Sequence, residues 1–134
     1  MKQWRTVVLL MAGLLASCTA GGAEFAPLTA HADKGVVYVY TLDHDMLSPQ
    51  VVIDGREVGR LKPLGHMSVE INPGHHSITT TALVLFKQKP VEVDVAAGQS
   101  LYLRFDGFRG SILMQMPADI AREEIRTTRQ SGAG

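Results

Sequence analysis

The sequence predicts a mainly β protein: an antiparallel β-sandwich of about seven strands followed by a short C-terminal helix. Three observations carry this. β-Branched and aromatic residues come in short runs, turn pairs separate the runs at intervals of about 8–12 residues, and βαβ alternation is missing.

The first run, GVVYVYT at 35–41, is apolar on both parities and predicts a central strand. QVVIDGREVGRL follows and holds Asp54-Gly55 between two strand-like runs. That pair is a strong hairpin signal, because both central positions of a type I′ turn need φ > 0. Parity then puts Val51, Ile53 and Val58 on one face. The run HMSVEIN alternates, with Met67, Val69 and Ile71 facing inward and His66, Ser68 and Glu70 facing water.

Asn72-Pro73-Gly74 fits a type II turn, in which Pro presets one φ and Gly supplies the positive one. HHSITTTA comes next, and parity places His76 with Ile78, Thr80 and Ala82 as a core histidine bonded to backbone. In KPVEVDVA the residues Val91, Val93 and Val95 face inward, with Glu92 and Asp94 outward. Ala97-Gly98-Gln99 turns the chain again, and LYLRFDGF with GSILMQM forms a last hairpin closed around Gly107 to Gly110. Pro117 and Asp119 open a helix that packs through Ile120, Ala121 and Ile125. The final SGAG, residues 131–134, reads as a disordered tail.

Ahead of the β region, Lys2 and Arg5 precede an apolar stretch from Thr6 to Leu15, the pattern of a secretory signal. The apolar run is about 12 residues, short of the roughly 20 that a membrane-spanning helix needs. It ends in Leu15-Ala16-Ser17-Cys18, where Cys18 is the one cysteine of the chain. A lone thiol in an exported chain otherwise implies intermolecular pairing or reactivity.

That tetrapeptide resembles the lipobox of bacterial lipoproteins. The resemblance implies cleavage before Cys18, lipid attachment at Cys18, and an anchor of two or more acyl chains, which holds stably where a single chain does not. Thr19 rather than Asp after the cysteine implies, by the same likeness, the outer membrane and its periplasmic face.

On that reading 1–17 is a signal peptide, 18–33 a lipidated N-terminus and flexible tether, 34–130 the domain, and 131–134 the tail. The tether TAGGAEFAPLTAHAD is small and aperiodic, and about 15 extended residues reach up to roughly 50 Å. The 13 basic residues less Lys2 and Arg5 leave 11 against 13 acidic, a net charge of −2. With no basic run, nucleic acid is excluded as a partner. The remaining 117 residues suffice for one small domain without a disulfide.

The order "VVYVY", "VIDGREVGRL", "NPGHHSI" and "VEVDVAAGQSLYLRF", closed by an acidic helix, resembles a bacterial lipoprotein family named only as a domain of unknown function. Its pattern is also similar to PEGA-type β-domains. The likeness covers about residues 34–126 and implies a fold without catalytic residues. DHDML at 43–47 departs from it, since the family more often carries an arginine after the first strand.

Chemistry is sparse in the residues themselves. Asp43-His44-Asp45 offers metal-type ligands in a loop, and His31, His66, His75 and His76 lie elsewhere, but HExxH and similar spacings are missing. Ser68, Ser77 and Ser111 lack a GxSxG context. Glu57, Glu70, Glu92 and Asp94 read as outward members of strands rather than a glycosidase pair. No phosphate loop of the GxxxxGK[ST] or GxGxxG type occurs.

Tyr38, Tyr40 and Tyr102 fit a sandwich core with their hydroxyls at the rim. The run Leu83-Val84-Leu85-Phe86 fits either burial or a contact patch. The expectation is therefore a non-enzymatic, outer-membrane-anchored envelope lipoprotein. It has no catalytic, cofactor or metal residue, a membrane partner through Cys18, and an envelope protein or glycan as a further partner. The alternatives are an enzyme or metal-handling lipoprotein using Asp43-His44-Asp45, and an immunity or inhibitor protein.

Overall fold

The computed structural model describes residues 20–45, 48–81, 89–110 and 112–131. Strand β1, Gly35–Thr41, is the axis of the molecule, with all seven of its residues buried. Its run of Val and Tyr is apolar on both parities because both faces of its sheet are covered.

In chain order β2 (Gln50–Ile53), β3 (Arg56–Arg60), β4 (Gly65–Ile71), β5 (Gly74–Thr81), β6 (Val91–Val95), β7 (Ser100–Asp106) and β8 (Ile112–Met116) follow. Helix α1 (Ala118–Ile125) and β9 (Arg129–Gln130) close the chain. Five strands form one sheet in the order β8-β7-β1-β4-β9, and four form the other as β3-β2-β5-β6. The expected mainly β sandwich with a short C-terminal helix is what the chain forms. Nine strands are present among the described residues, and two pairings are parallel, β1 with β7 and β4 with β9.

The sheets face each other across a core that includes Val37, Val39, Val51, Ile53, Leu61, Ile78, Val93, Leu103 and Phe105. Asp54 (φ +50°) and Gly55 (φ +80°) make the expected hairpin between β2 and β3. Val58 does not share the face of Val51 and Ile53, as parity alone predicts, and is 39% exposed. A bulge between Val51 and Val52 explains this: Val51 pairs with Gly59 and Val52 with Glu57, so Val58 is the extra residue and parity inverts across it.

The expected type II turn at Asn72-Pro73-Gly74 is a bend at Pro73, with Gly74 (φ +129°) already in β5, while Ala97-Gly98 is a turn; each carries the chain from one sheet to the other instead of closing a hairpin. At this junction Gly35 is packed so closely that an added Cβ would collide with Cγ1 of Val95.

The outer face of the five-stranded sheet is not wet. Val36, Tyr38, Tyr40 and Tyr102 form a second cluster there with Ala121 and Ile125 of α1, joined by Phe25, Ala30 and Leu42. His66, expected on a solvated face, is 4% exposed beneath this cover.

Ile120, expected to pack on the sheet, is 45% exposed, and Ala121 and Ile125 do the packing. The eight-residue helix spends its narrow apolar stripe on that pair.

The segment expected to be a flexible tether is instead laid across this face from residue 20 onward. Ala20 is 6% exposed, its N–H donates to the Pro63 carbonyl at 3.0 Å, and Glu24 bridges Arg129. The Leu28 N–H donates to the Tyr38 hydroxyl at 2.9 Å, and the Phe25 ring meets Tyr38 and His66 edge-on. Gly65 is pressed between Ser131 and Lys62, and an added Cβ would come within 3.2 Å of the Ala20 methyl.

The chain end is likewise part of the fold as far as Ser131, which is 6% exposed and whose N–H donates to the His66 carbonyl at 2.8 Å. Gly132–Gly134 lie outside the described residues, as do the apolar run Leu83–Phe86 and Ser111.

Candidate functional site

The first and seventh strands pair in register, so Tyr38 sits beside Tyr102 and Tyr40 beside Arg104 on the outer face. The two rings Tyr38 and Tyr102 stack, with centroids 5.0 Å apart and planes at 16°. One step along, Glu124 reaches down from α1. It accepts a hydrogen bond from the Tyr40 hydroxyl at 2.6 Å and from Arg104 Nη1 at 2.8 and 3.0 Å through its two oxygens.

Burial, followed by the hydrogen bond and charge of Glu124, pushes the Tyr40 phenol well above the ordinary tyrosine value. A charge-assisted cluster about a fifth exposed, it ties the helix to the sheet's middle strands. All three tyrosines are buried, Tyr40 and Tyr102 included, so none of the rings is offered to a ligand.

Beyond Tyr40 lies a shallow cleft of ≈ 220 Å³ lined by Leu42, Asp43, Arg104, Phe105 and Asp106. Its polar groups are each engaged by a residue outside the lining. Arg104 holds Glu124, Asp43 Oδ2 accepts the Gly107 N–H at 2.6 Å, and Asp106 accepts the Arg109 N–H at 3.1 Å and pairs with its guanidinium at 3.5 Å.

The Asp43-His44-Asp45 loop is therefore pinned through Asp43 to the last hairpin, with His44 and Asp45 exposed. Among the described residues no three His, Cys, Asp or Glu side chains are placed to share a metal ion. These contacts hold the Arg104 guanidinium and the Asp43 and Asp106 carboxylates of the cleft in fixed positions.

The histidines are scattered. His66 Nδ1 meets Thr128 Oγ1 at 2.8 Å, and that hydroxyl donates to the Ile125 carbonyl at 2.6 Å. The hydroxyl proton being committed, His66 Nδ1 must carry the hydrogen, which fixes the tautomer. Burial holds its pKa below the usual histidine value.

At the other end of the sandwich His76 Nδ1 pairs with Asp54 Oδ2 at 2.5 Å and Nε2 with the Asn72 carbonyl at 2.7 Å. The backbone bond is the expected one, but His76 is half-buried near the strand end and not in the core, and a carboxylate locks the β2–β3 turn to β5 beside it. Asp54 raises the His76 pKa, and the same contact lowers that of Asp54. His75 lies between Asp94 and Glu92 of the neighbouring strand at 3.0 and 2.7 Å, and both carboxylates raise its pKa. His31 caps Glu70 at 2.8 Å and lowers the carboxyl.

Cys18, the lipid-attachment residue predicted from the sequence, lies outside the described residues. Arg104 and Glu124 escape the sequence reading, although a signal exists. Arg104 shares parity with Tyr102, and Glu124 lies beside Ala121 and Ile125 on the helix, so both fall on the covered face once parity and helical spacing are combined.

No curated protein and no solved structure matches the chain. A family described as a protein of unknown function (DUF2846) matches residues 31–117, which run from the start of the domain to the residue before α1. The expected membership in a domain family of unknown function holds over most of the β region, and the chain belongs to the DUF2846 family.

Proposed function

We propose that the chain is an outer-membrane-anchored, periplasmic lipoprotein whose β-domain serves the cell envelope as a non-catalytic binding or structural module. The observation that carries this reading is Leu15-Ala16-Ser17-Cys18 closing an apolar run behind Lys2 and Arg5. Two aspects of the fold support it. Ala20, two residues beyond the proposed lipid, is already packed into the domain, and the polar groups of the cleft are each held by a neighbouring residue. An envelope protein or a glycan is the partner class for a module of this kind.

The test is metabolic labelling with palmitate in a bacterial host, followed by separation of the two membranes. Label enters the wild-type chain and not Cys18→Ala, and it sediments with the outer membrane. Equal labelling of the two chains refutes the anchor, and label confined to the inner membrane refutes the location.

A further inference from the structure

The N-terminal end of the described chain and the tip of the last hairpin lie at the same end of the sandwich. The Ala20 N–H donates to Pro63, the next residue's N–H, that of Leu64, donates to the Asp43 carbonyl at 2.8 Å, and Asp43 Oδ2 accepts from Gly107. Three hydrogen bonds thus link the chain end to the hairpin. Phe108, the next residue along, is 72% exposed, more than any other exposed large apolar side chain of the described residues. Arg109 beside it is 75% exposed, and Ile112 is 45% exposed.

A single exposed aromatic residue needs no explanation on most surfaces. Here the chain end supplies one. Cys18 precedes Ala20 by two residues, which span at most about 7 Å. The roughly 50 Å of slack predicted from a free tether is absent, because residues 20–31 are used to cover the five-stranded sheet. A lipid on Cys18 would hold this end of the domain, and no other, against the bilayer.

We propose that the Phe108-Arg109 tip is a second membrane contact that docks the domain end-on to a phospholipid bilayer. The ring enters the boundary between headgroups and acyl chains, where aromatic side chains are favoured, and the guanidinium stays among the phosphates. Lys62 and Arg109 stand at this end among Asp43, Asp45 and Asp106. The contact therefore rests on the ring and not on net attraction to anionic lipid. This inference builds on the lipoprotein reading, and its test separates the two.

Trp4 is the one tryptophan and leaves with the signal, so Phe108→Trp gives a single reporter in the lipidated chain. Ala97→Trp, in an exposed turn at the opposite end, is the control. Both chains are reconstituted into phosphatidylcholine vesicles with and without brominated acyl chains. The expected result is blue-shifted emission quenched about twofold for Phe108→Trp, with no quenching for Ala97→Trp. Equal quenching at the two positions in a palmitate-labelled chain overturns the docking while leaving the anchor standing. Emission that responds to lipid-free envelope extract and not to vesicles makes the tip a protein contact and also overturns it. Failure of palmitate labelling itself removes the anchor and the docking together.

Discussion

Ile120 and Ile125 belong to the same eight-residue helix, and their apolar character alone gives both to the core. The structure divides them: Ile125 is wholly buried against the tyrosine cluster, while Ile120 is 45% exposed. Ile125→Ala removes buried carbon from a site walled by Val36, Tyr38, Tyr40 and Tyr102, rigid neighbours on a sheet that has little freedom to collapse into the gap. The expected loss is about 3 kcal/mol, the middle of the range for burying and then deleting such a side chain. With a denaturant slope of about 2 kcal/mol/M for a domain of this size, the urea midpoint falls by roughly 1.5 M. Ile120→Ala trades a partly exposed contact for a better helix former and stays within about 0.5 kcal/mol of the parent. Urea unfolding followed by far-ultraviolet circular dichroism measures both, with equal slopes as the check that only stability changed. A loss at position 120 equal to that at 125, or a loss at 125 below about 1 kcal/mol, would refute the outer layer as a true second core.

Two other predictions rest on named contacts. Glu124→Ala strands Arg104 and the Tyr40 hydroxyl at once, and because the ion pair is about a fifth exposed the cost lies between the surface and buried limits, about 2 kcal/mol. Glu124→Gln keeps an acceptor for Tyr40, costs less in the same urea assay, and moves Tyr40 ionisation, read by ultraviolet absorbance at alkaline pH, back toward the ordinary tyrosine value. In His76→Gln the sign follows from linkage. A histidine whose folded pKa is raised adds stability that is complete below about 6.5 and is lost as pH rises through the folded value, while lowered Asp54 adds stability that is lost as pH falls below about 3.8. The substitution therefore lowers the urea midpoint more at pH 5.5 than at pH 8, a difference between wild type and variant that cancels the opposite trend of buried His66. An equal loss at the two pH values would mean that the Asp54 contact does not discriminate the charged ring.

Much of the sheet architecture was legible because its signals are local. Asp54-Gly55 needs two positive φ angles and almost names its turn, and β1 announces burial on both faces by being apolar on both parities. Errors arise where a distant segment decides the outcome. His66 looks wet until residues 20–30 and α1 are laid over it, and Val58 looks buried until a bulge, invisible to alternation counting, inverts its parity. The tether expectation fails for the same reason: the small residues Ala20 and Gly22 lie close against Gly65 and Gln130, and composition does not distinguish such a segment from one free in water. For the candidate site, the tyrosines were visible and their partners were not. Glu124 acquires its role only when a helix some 20 residues beyond Arg104 folds back over the strand that carries it.

The parallel pairing of β1 with β7 sets an order in time as well as in space. The first of the described strands is the one enclosed last, for it hydrogen-bonds to residues 100–105 on one side and to β4 on the other, and its outer face waits for α1. Closing loops of that length before any native contact is rewarded makes for slow folding. The nascent chain keeps its most apolar strand unsatisfied until β7 and then α1 have been made, so a truncation short of β7 would leave Gly35–Thr41 with an unpaired edge and a strong tendency to aggregate.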